Sequence, residues 1–182
     1  MRASEAEILI VPGLGGSAPE HWQSRWQAKL STARRIVQKD FERPRLEEWR
    51  RRIIAEVEAA RRPVVLVAHS LGVIAVAHAA AELDGKVRGA FLVAPLSSRA
   101  IAEDDVIDAD FGAVPMAPLP FPAMLVASRG DSYAQYHEVE EFARAWHAKL
   151  LDAGAAGHIN AESGYGPWPE GLLRFAKFLG TL

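Results

Sequence analysis

One nine-residue stretch limits the fold more than any other: Val64-Val65-Leu66-Val67-Ala68-His69-Ser70-Leu71-Gly72. The unbroken apolar run Val64–Ala68 predicts a strand buried on both faces, as in the centre of a parallel sheet. The Ala-rich segment Leu71–Leu83 follows without a linker and predicts a helix. A chain that passes from strand to helix over one residue needs small residues two before and two after it, and Ala68 and Gly72 stand there. Such a turn lifts the Ser70 hydroxyl above the end of the sheet and points the next helix's N-terminus at it, the context of a nucleophile elbow. Ala68 occupies a position where the common pattern has Gly. The competing reading is a serine that only caps a helix. Extended to Ala81 the stretch is mostly apolar over 18 residues. His69, Ser70, Gly72 and His78 within it favour a strand and a small-residue helix over a membrane span.

Elsewhere short apolar runs alternate with helical patterns. Strands are predicted at Ile8–Val11, Arg35–Gln38, Val87–Ala94 and Ala123–Ser128. Helices are predicted at Pro19–Leu30, Leu46–Ala60, Glu138–Leu151 and Leu172–Leu179. This alternation predicts a single α/β domain over residues 1–182, with a mainly parallel sheet and helices on both faces. Ser97–Pro122 breaks the rhythm. Its first half is acidic (Glu103, Asp104, Asp105, Asp108, Asp110) and its second half carries Pro115, Pro118, Pro120 and Pro122. It reads as an excursion over the sheet's C-terminal edge, at most a small lid.

Composition narrows the function classes. Hydrophobic residues make up 49% and charged residues 24%, enough to bury a core. A formal net charge of −2 lacks the basic footprint expected for a nucleic-acid partner. There is no cysteine, so disulfides, thiolate metal sites and cysteine nucleophiles are excluded. That suits a reducing compartment, and a cytoplasmic location is expected. The start of the chain has two Glu before the short run Ile8–Val11 and no long apolar region, unlike a secretory signal. No membrane association, metal or cofactor is expected, and no feature indicates a protein partner.

A serine nucleophile needs a base, and the base an orienting acid, in the chain order Ser, acid, His for this kind of fold. Of six histidines, His158 alone follows in a late loop, Ala153-Gly154-Ala155-Ala156-Gly157-His158, just after a candidate last strand. His69 flanks Ser70, but its side chain is expected to point away. His78 lies on the helix leaving the elbow, His137 and His147 by a charged helix, and His21 precedes the serine, where it could line a pocket. For the acid, Asp131 follows the strand Ala123–Ser128. Asp104, Asp105, Asp108 and Asp110 in the excursion, and Asp152, are rivals.

The loop Pro12-Gly13-Leu14-Gly15-Gly16-Ser17 follows the first strand. There Gly13 permits close backbone approach, and the Leu14 N–H is a candidate oxyanion donor beside that of Leu71. The same loop loosely fits a dinucleotide fingerprint, Gly13-x-Gly15-x-x-Ala18, with Asp40 at the end of the next strand. Trp22 and Trp26, four apart, mark a core-facing helix side. Trp168 is a candidate pocket wall or a core residue.

Three blocks together resemble a known family. They are Val11-Pro12-Gly13-Leu14-Gly15-Gly16-Ser17 with His21-Trp22, Ala68-His69-Ser70-Leu71-Gly72, and Gly157-His158-Ile159-Asn160 with Gly164-Tyr165-Gly166-Pro167-Trp168-Pro169. The chain resembles the small serine hydrolase family of the α/β-hydrolase superfamily, which includes retinoblastoma-binding protein nine and bacterial relatives. The resemblance implies a compact, nearly lidless α/β-hydrolase with a Ser70–Asp131–His158 triad acting on small ester, thioester or amide substrates without a cofactor. Ser132 stands where relatives often place Pro after the acid. Two other classes stay open: a non-catalytic protein-binding module on this scaffold, and a nucleotide-binding protein using the Gly13 loop.

Overall fold

Side chains along each central strand turn alternately to two apolar layers. The computed structural model describes residues 1–182. Its strands are β1 (Glu7–Val11), β2 (Ala33–Arg35), β3 (Val64–His69), β4 (Val87–Val93), β5 (Ala123–Ala127) and β6 (Lys149–Asp152). They form one sheet in the order β2-β1-β3-β4-β5-β6, every adjacent pair parallel. Leu9, Val11, Leu66, Ala68, Leu92 and Leu125 face the larger apolar layer. Ile8, Ile10, Val65, Val67, Phe91 and Val126 face the smaller one. Because both faces are covered, the strands need no polar alternation, and none is present in Val64–Ala68.

Helices α1 (Trp22–Lys29) and α6 (Pro169–Leu179) cover the smaller layer through Trp22, Trp26, Phe175, Phe178 and Leu179. Helices α2 (Leu46–Glu58), α3 (Leu71–Ala79) and α5 (Tyr136–Ala145) cover the larger one. In α2 the buried residues Trp49, Ile53 and Val57 recur every four positions and make a single apolar stripe. In α3 every residue except His78 is buried, so the helix is apolar all round. The α/β class with helices on both faces is as the sequence predicts.

Several elements differ from expectation. The edge strand β2 lies at Ala33–Arg35, not Arg35–Gln38, because it pairs with Ile8–Ile10, a register that begins at Ala33. The predicted helix Glu138–Leu151 is two elements. Helix α5 stops at Ala145, His147 takes a left-handed φ of 53°, and Lys149–Asp152 then pairs with β5. Lys-Leu-Leu-Asp has little intrinsic strand preference, so pairing to the sheet decides its conformation. Helix α1 starts only at Trp22, capped by His21, later than the predicted Pro19. The excursion is anchored rather than loose. It contains α4 (Ser98–Ala102), and its Ile101, Ile107, Phe111 and Phe121 are buried in the larger layer.

The chain moves from β1 outward to β2, then returns to β3 and proceeds the other way. The reversal lies between β1 and β3, and ligands bind above the carboxyl ends of the strands at such a point in open α/β sheets. The two backbones leaving those strands run very close. A Cβ at Gly72 would lie 2.5 Å from the carbonyl oxygens of both Val11 and Pro12. Helix propensity alone would make Gly72→Ala stabilising by up to about 1 kcal/mol. Overpacking costs about 1–3 kcal/mol, and these carbonyls belong to a buried strand end that cannot swing aside. A net loss of stability is therefore expected, read as a lower guanidinium midpoint; an unchanged or raised midpoint would contradict the close approach.

Candidate active site

Ser70 sits at the β3–α3 junction with φ 56° and ψ −127°. A non-glycine residue in this region costs on the order of 1–3 kcal/mol and persists only where its surroundings enforce it. Its N–H donates to the Val93 carbonyl at 3.0 Å. Gly13 lies against it, since a Cβ there would approach the Ser70 Cβ to 2.8 Å.

Two loops from the far side of the sheet meet this serine. The loop after β5 brings Asp131, and the loop after β6 brings His158. Ser128, almost fully buried, braces both loops by accepting from the N–H groups of Ala156 at 2.9 Å and Gly130 at 3.3 Å. The Ser70 hydroxyl lies 2.8 Å from His158 Nε2. His158 Nδ1 lies 2.9 and 3.0 Å from the two Asp131 carboxylate oxygens. The Asp131 side chain is 2% exposed and also accepts from the Tyr133 N–H at 2.9 Å. The structure thus brings Ser70, His158 and Asp131 into one hydrogen-bonded chain. The rival acids take no part: Asp108 accepts from the Leu46 and Asp110 N–H groups, and Asp152 pairs with Arg129.

Leu14 and Leu71 each stand first in a helical turn, so their N–H groups have no partner within it. Neither donates to a loop or cap acceptor. The Leu71 nitrogen would lie 3.3 Å from a Cβ on Gly13, so any side chain at Gly13 would crowd that donor. A cleft of about 350 Å³ opens over Ser70 and His158, with Leu14, His21, Leu96, Ile107 and Tyr133 among its walls. Its two acidic side chains are Asp104 and Glu162, and no Lys or Arg lines it.

Two expectations need correction. Trp168 does not wall the cleft. It is buried in an aromatic cluster, edge to face with Trp22 at 5.1 Å and stacked on Trp26 at 5.8 Å between ring centres. His69 does not point away from the site. It borders the cleft, its ring centre is 4.9 Å from that of His158, and its Nε2 lies 2.9 Å from the His158 carbonyl oxygen. The dinucleotide fingerprint also loses its context. The glycine loop is followed by a separate capped helix, and Asp40 lies beyond β2, accepting from the Glu42 and Arg43 N–H groups.

Two residues were missed by sequence reasoning. Gln23, fully buried, donates from Nε2 to the Val11 and Val67 carbonyls at 3.2 and 3.1 Å and stitches the ends of β1 and β3. Tyr133 places its ring 4.4 Å from that of His158. Neither carries a pattern that separates it from an ordinary helix or loop residue.

Comparison with known proteins supplies the decisive observation. The serine hydrolase family profile matches residues 8–177. The chain belongs to the serine hydrolase family. Among solved structures this serine hydrolase is similar to a protein described as a YdeN-like hydrolase from Pectobacterium atrosepticum. The identity is 35%, 97% of this chain and 91% of that one are covered, and the TM-score is 0.85. The ydeN gene product of B. subtilis is 18% identical over 97% of this chain and 99% of that one, with a TM-score of 0.73. Thermogutta terrifontis esterase 2, phosphonylated by cyclosarin, is 14% identical over 97% of this chain and 82% of that one, with a TM-score of 0.71. The latter two likenesses show the fold alone. A search of curated proteins finds no match. The protein is an enzyme of the α/β-hydrolase type, and no helix in it is long and apolar enough to cross a membrane.

The histidines beside the cleft shape the enzyme's stability. Burial, then Arg35 and His158, push the pKa of His21 down to about 4. Unfolded, it titrates near 6.5. Between these values the unfolded chain holds a proton that the folded chain does not, so stability falls as pH drops through this window. His21 contributes on the order of 3 kcal/mol to that fall. The urea midpoint should drop between about pH 7 and pH 4.5, and less steeply in His21→Gln. Parallel declines in both proteins would remove His21 from the account.

Proposed function

We propose that this serine hydrolase cleaves small, uncharged or cationic carboxylic ester, thioester or amide substrates by acyl transfer through Ser70, with His158 as base and Asp131 as orienting acid. The single observation that carries the reading is the unbroken hydrogen-bond chain from the Ser70 hydroxyl through His158 to Asp131, set beneath a cleft. His158 Nε2 takes the Ser70 proton as Oγ bonds to the substrate's carbonyl carbon. The carbonyl's π electrons move to its oxygen, which accepts hydrogen bonds from the free N–H groups of Leu71 and Leu14. The carbon–leaving-group bond then breaks, and His158 returns its proton to the leaving group. Water repeats the sequence on the acyl-enzyme and releases the carboxylic acid. Asp131 accepts from His158 Nδ1–H, which keeps Nε2 free as the base and stabilises the imidazolium.

Cleft size and charge support the substrate class. About 350 Å³ is near the low end for small-molecule pockets and leaves little room for a long acyl chain. Asp104 and Glu162 disfavour an anionic acyl group by repulsion, unopposed by any cation lining the cleft.

Three experiments test this. A fluorophosphonate should add covalently to the wild type and not to folded Ser70→Ala. His158→Ala should lower kcat about 10³-fold or more, and Asp131→Asn about 10⁴-fold with little change in KM. Labelling that survives in Ser70→Ala would refute the nucleophile. In an acyl series, p-nitrophenyl acetate and butyrate should exceed the palmitate and hemisuccinate esters in kcat/KM. A rate that climbs with chain length, or jumps when micelles form, would refute the small-substrate reading.

A further inference from the structure

We propose that His69 and Trp22 are positioning residues whose ring N–H groups clamp consecutive backbone carbonyls of the loop carrying His158, and so hold its imidazole in register with Ser70. This rests on the triad reading above and adds two residues to it.

The loop does not hold its shape by local preference. Gly157 and Ile159 flank His158 with φ of 57° and 48°. A left-handed conformation is ordinary for glycine, but for a fully buried, β-branched isoleucine it is a genuine outlier. Such a residue stays only where its surroundings over-determine it. Three hydrogen bonds do so. The His158 N–H donates to Ser163 Oγ at 3.1 Å. The Trp22 indole N–H donates to the Ile159 carbonyl at 2.9 Å. His69 Nε2 lies 2.9 Å from the His158 carbonyl oxygen.

A carbonyl oxygen can only accept, so His69 must carry its proton on Nε2. Burial, then His158 and His21, favours the neutral form of His69, which has a single N–H to spend. The two clamping rings support each other, edge to face at 5.9 Å and 90°. His69 also directly precedes Ser70. Its side chain therefore ties the base's main chain to the strand that carries the nucleophile, and the Oγ–Nε2 separation is set from both ends. The effect belongs in kcat, because both clamping N–H groups are spent on carbonyls; the His69 ring borders the cleft, and Trp22, which does not, gives the cleaner separation of kcat from KM.

The test compares the wild type with His69→Gln, His69→Leu and Trp22→Phe. Gln can present an amide N–H to the same carbonyl, Leu cannot, and Phe keeps the aromatic packing without the indole donor. A misplacement of about 1 Å costs on the order of 10²-fold in rate, so His69→Leu should lower kcat and the fluorophosphonate reaction rate about 10- to 100-fold with KM nearly unchanged. His69→Gln should stay within about threefold of the wild type, and Trp22→Phe should lose about three- to tenfold in kcat. Folded His69→Leu with a wild-type kcat, or His69→Gln no better than Leu, would overturn the clamp. Should His69→Leu fail to fold, an unchanged kcat in Trp22→Phe would overturn it equally. Nitrogen-15 NMR of the wild-type imidazoles reads the clamp without activity. His69, faced by the rings of His21 and His158, should remain neutral with its proton on Nε2 through the range in which a free imidazole titrates, near pH 6.5, and above it. A proton on Nδ1, or a titration within that range, would overturn it. A wild type that does not react with the fluorophosphonate would count against the triad reading, while the NMR result would still decide the clamp.

Discussion

The backbones that leave β1 and β3 approach more closely than side chains would allow, and the site is built in that contact. Gly72 presses against the Val11 and Pro12 carbonyls where the chain leaves β1, and Gly13 against the Ser70 Cβ. The contact brings the turn that begins at Leu14 to the cleft that holds Ser70, whose chain continues into Leu71 at the start of α3. It also strands carbonyls at the strand ends, where buried polar groups need partners. Gln23 supplies them, reaching Val11 and Val67 with one amide group. A glutamine buried among tryptophans is thus a consequence of how tightly β1 and β3 converge.

Charge is arranged as carefully as shape. Three imidazoles cluster in the site, His21 to His69 at 4.8 Å and His69 to His158 at 4.9 Å between ring centres. Three positive charges there would repel one another strongly in so dry a setting. Burial favours the neutral forms of His21 and His69, so no imidazolium stands beside the His158 ring. Asp131 is hydrogen-bonded at the outer end of the cluster, on His158 Nδ1.

Much of this was legible in the chain. Val64–Gly72 announces a buried strand, a sharp turn and a buried helix because each demands a distinct residue type, and those demands coincide in nine residues. Asp131 and His158 follow from chain order and from their places after strands. What was not legible depends on tertiary pairing. Lys149–Asp152 carries a helix-compatible pattern and becomes a strand only because β5 offers an open edge. His69 continues the alternation of Val65 and Val67 toward the smaller layer, where Trp22 lies, and what the chain does not reveal is that the loop after β6 brings the His158 carbonyl to its ring. Trp168 belongs to a motif that ends near the base, yet its left-handed backbone turns the indole into the aromatic stack under α6.

The sheet order has one more consequence. Ser70 and the free N–H groups of Leu14 and Leu71 follow the inner strands β1 and β3, whereas Asp131 and His158 hang from β5 and β6. Strand β6 is an edge whose four residues are all at least partly exposed. Such margins open with far less free energy than the centre. If Asp131 and His158 act as proposed, catalytic competence is therefore a property of the margin, not of the core. On the proposed mechanism, a molecule whose β6 edge has frayed would keep its layers, its elbow and the free N–H groups of Leu14 and Leu71 and yet lose the imidazole beside Ser70, so activity would report on the local stability of β6 and the loop after it sooner than on the global stability of the fold.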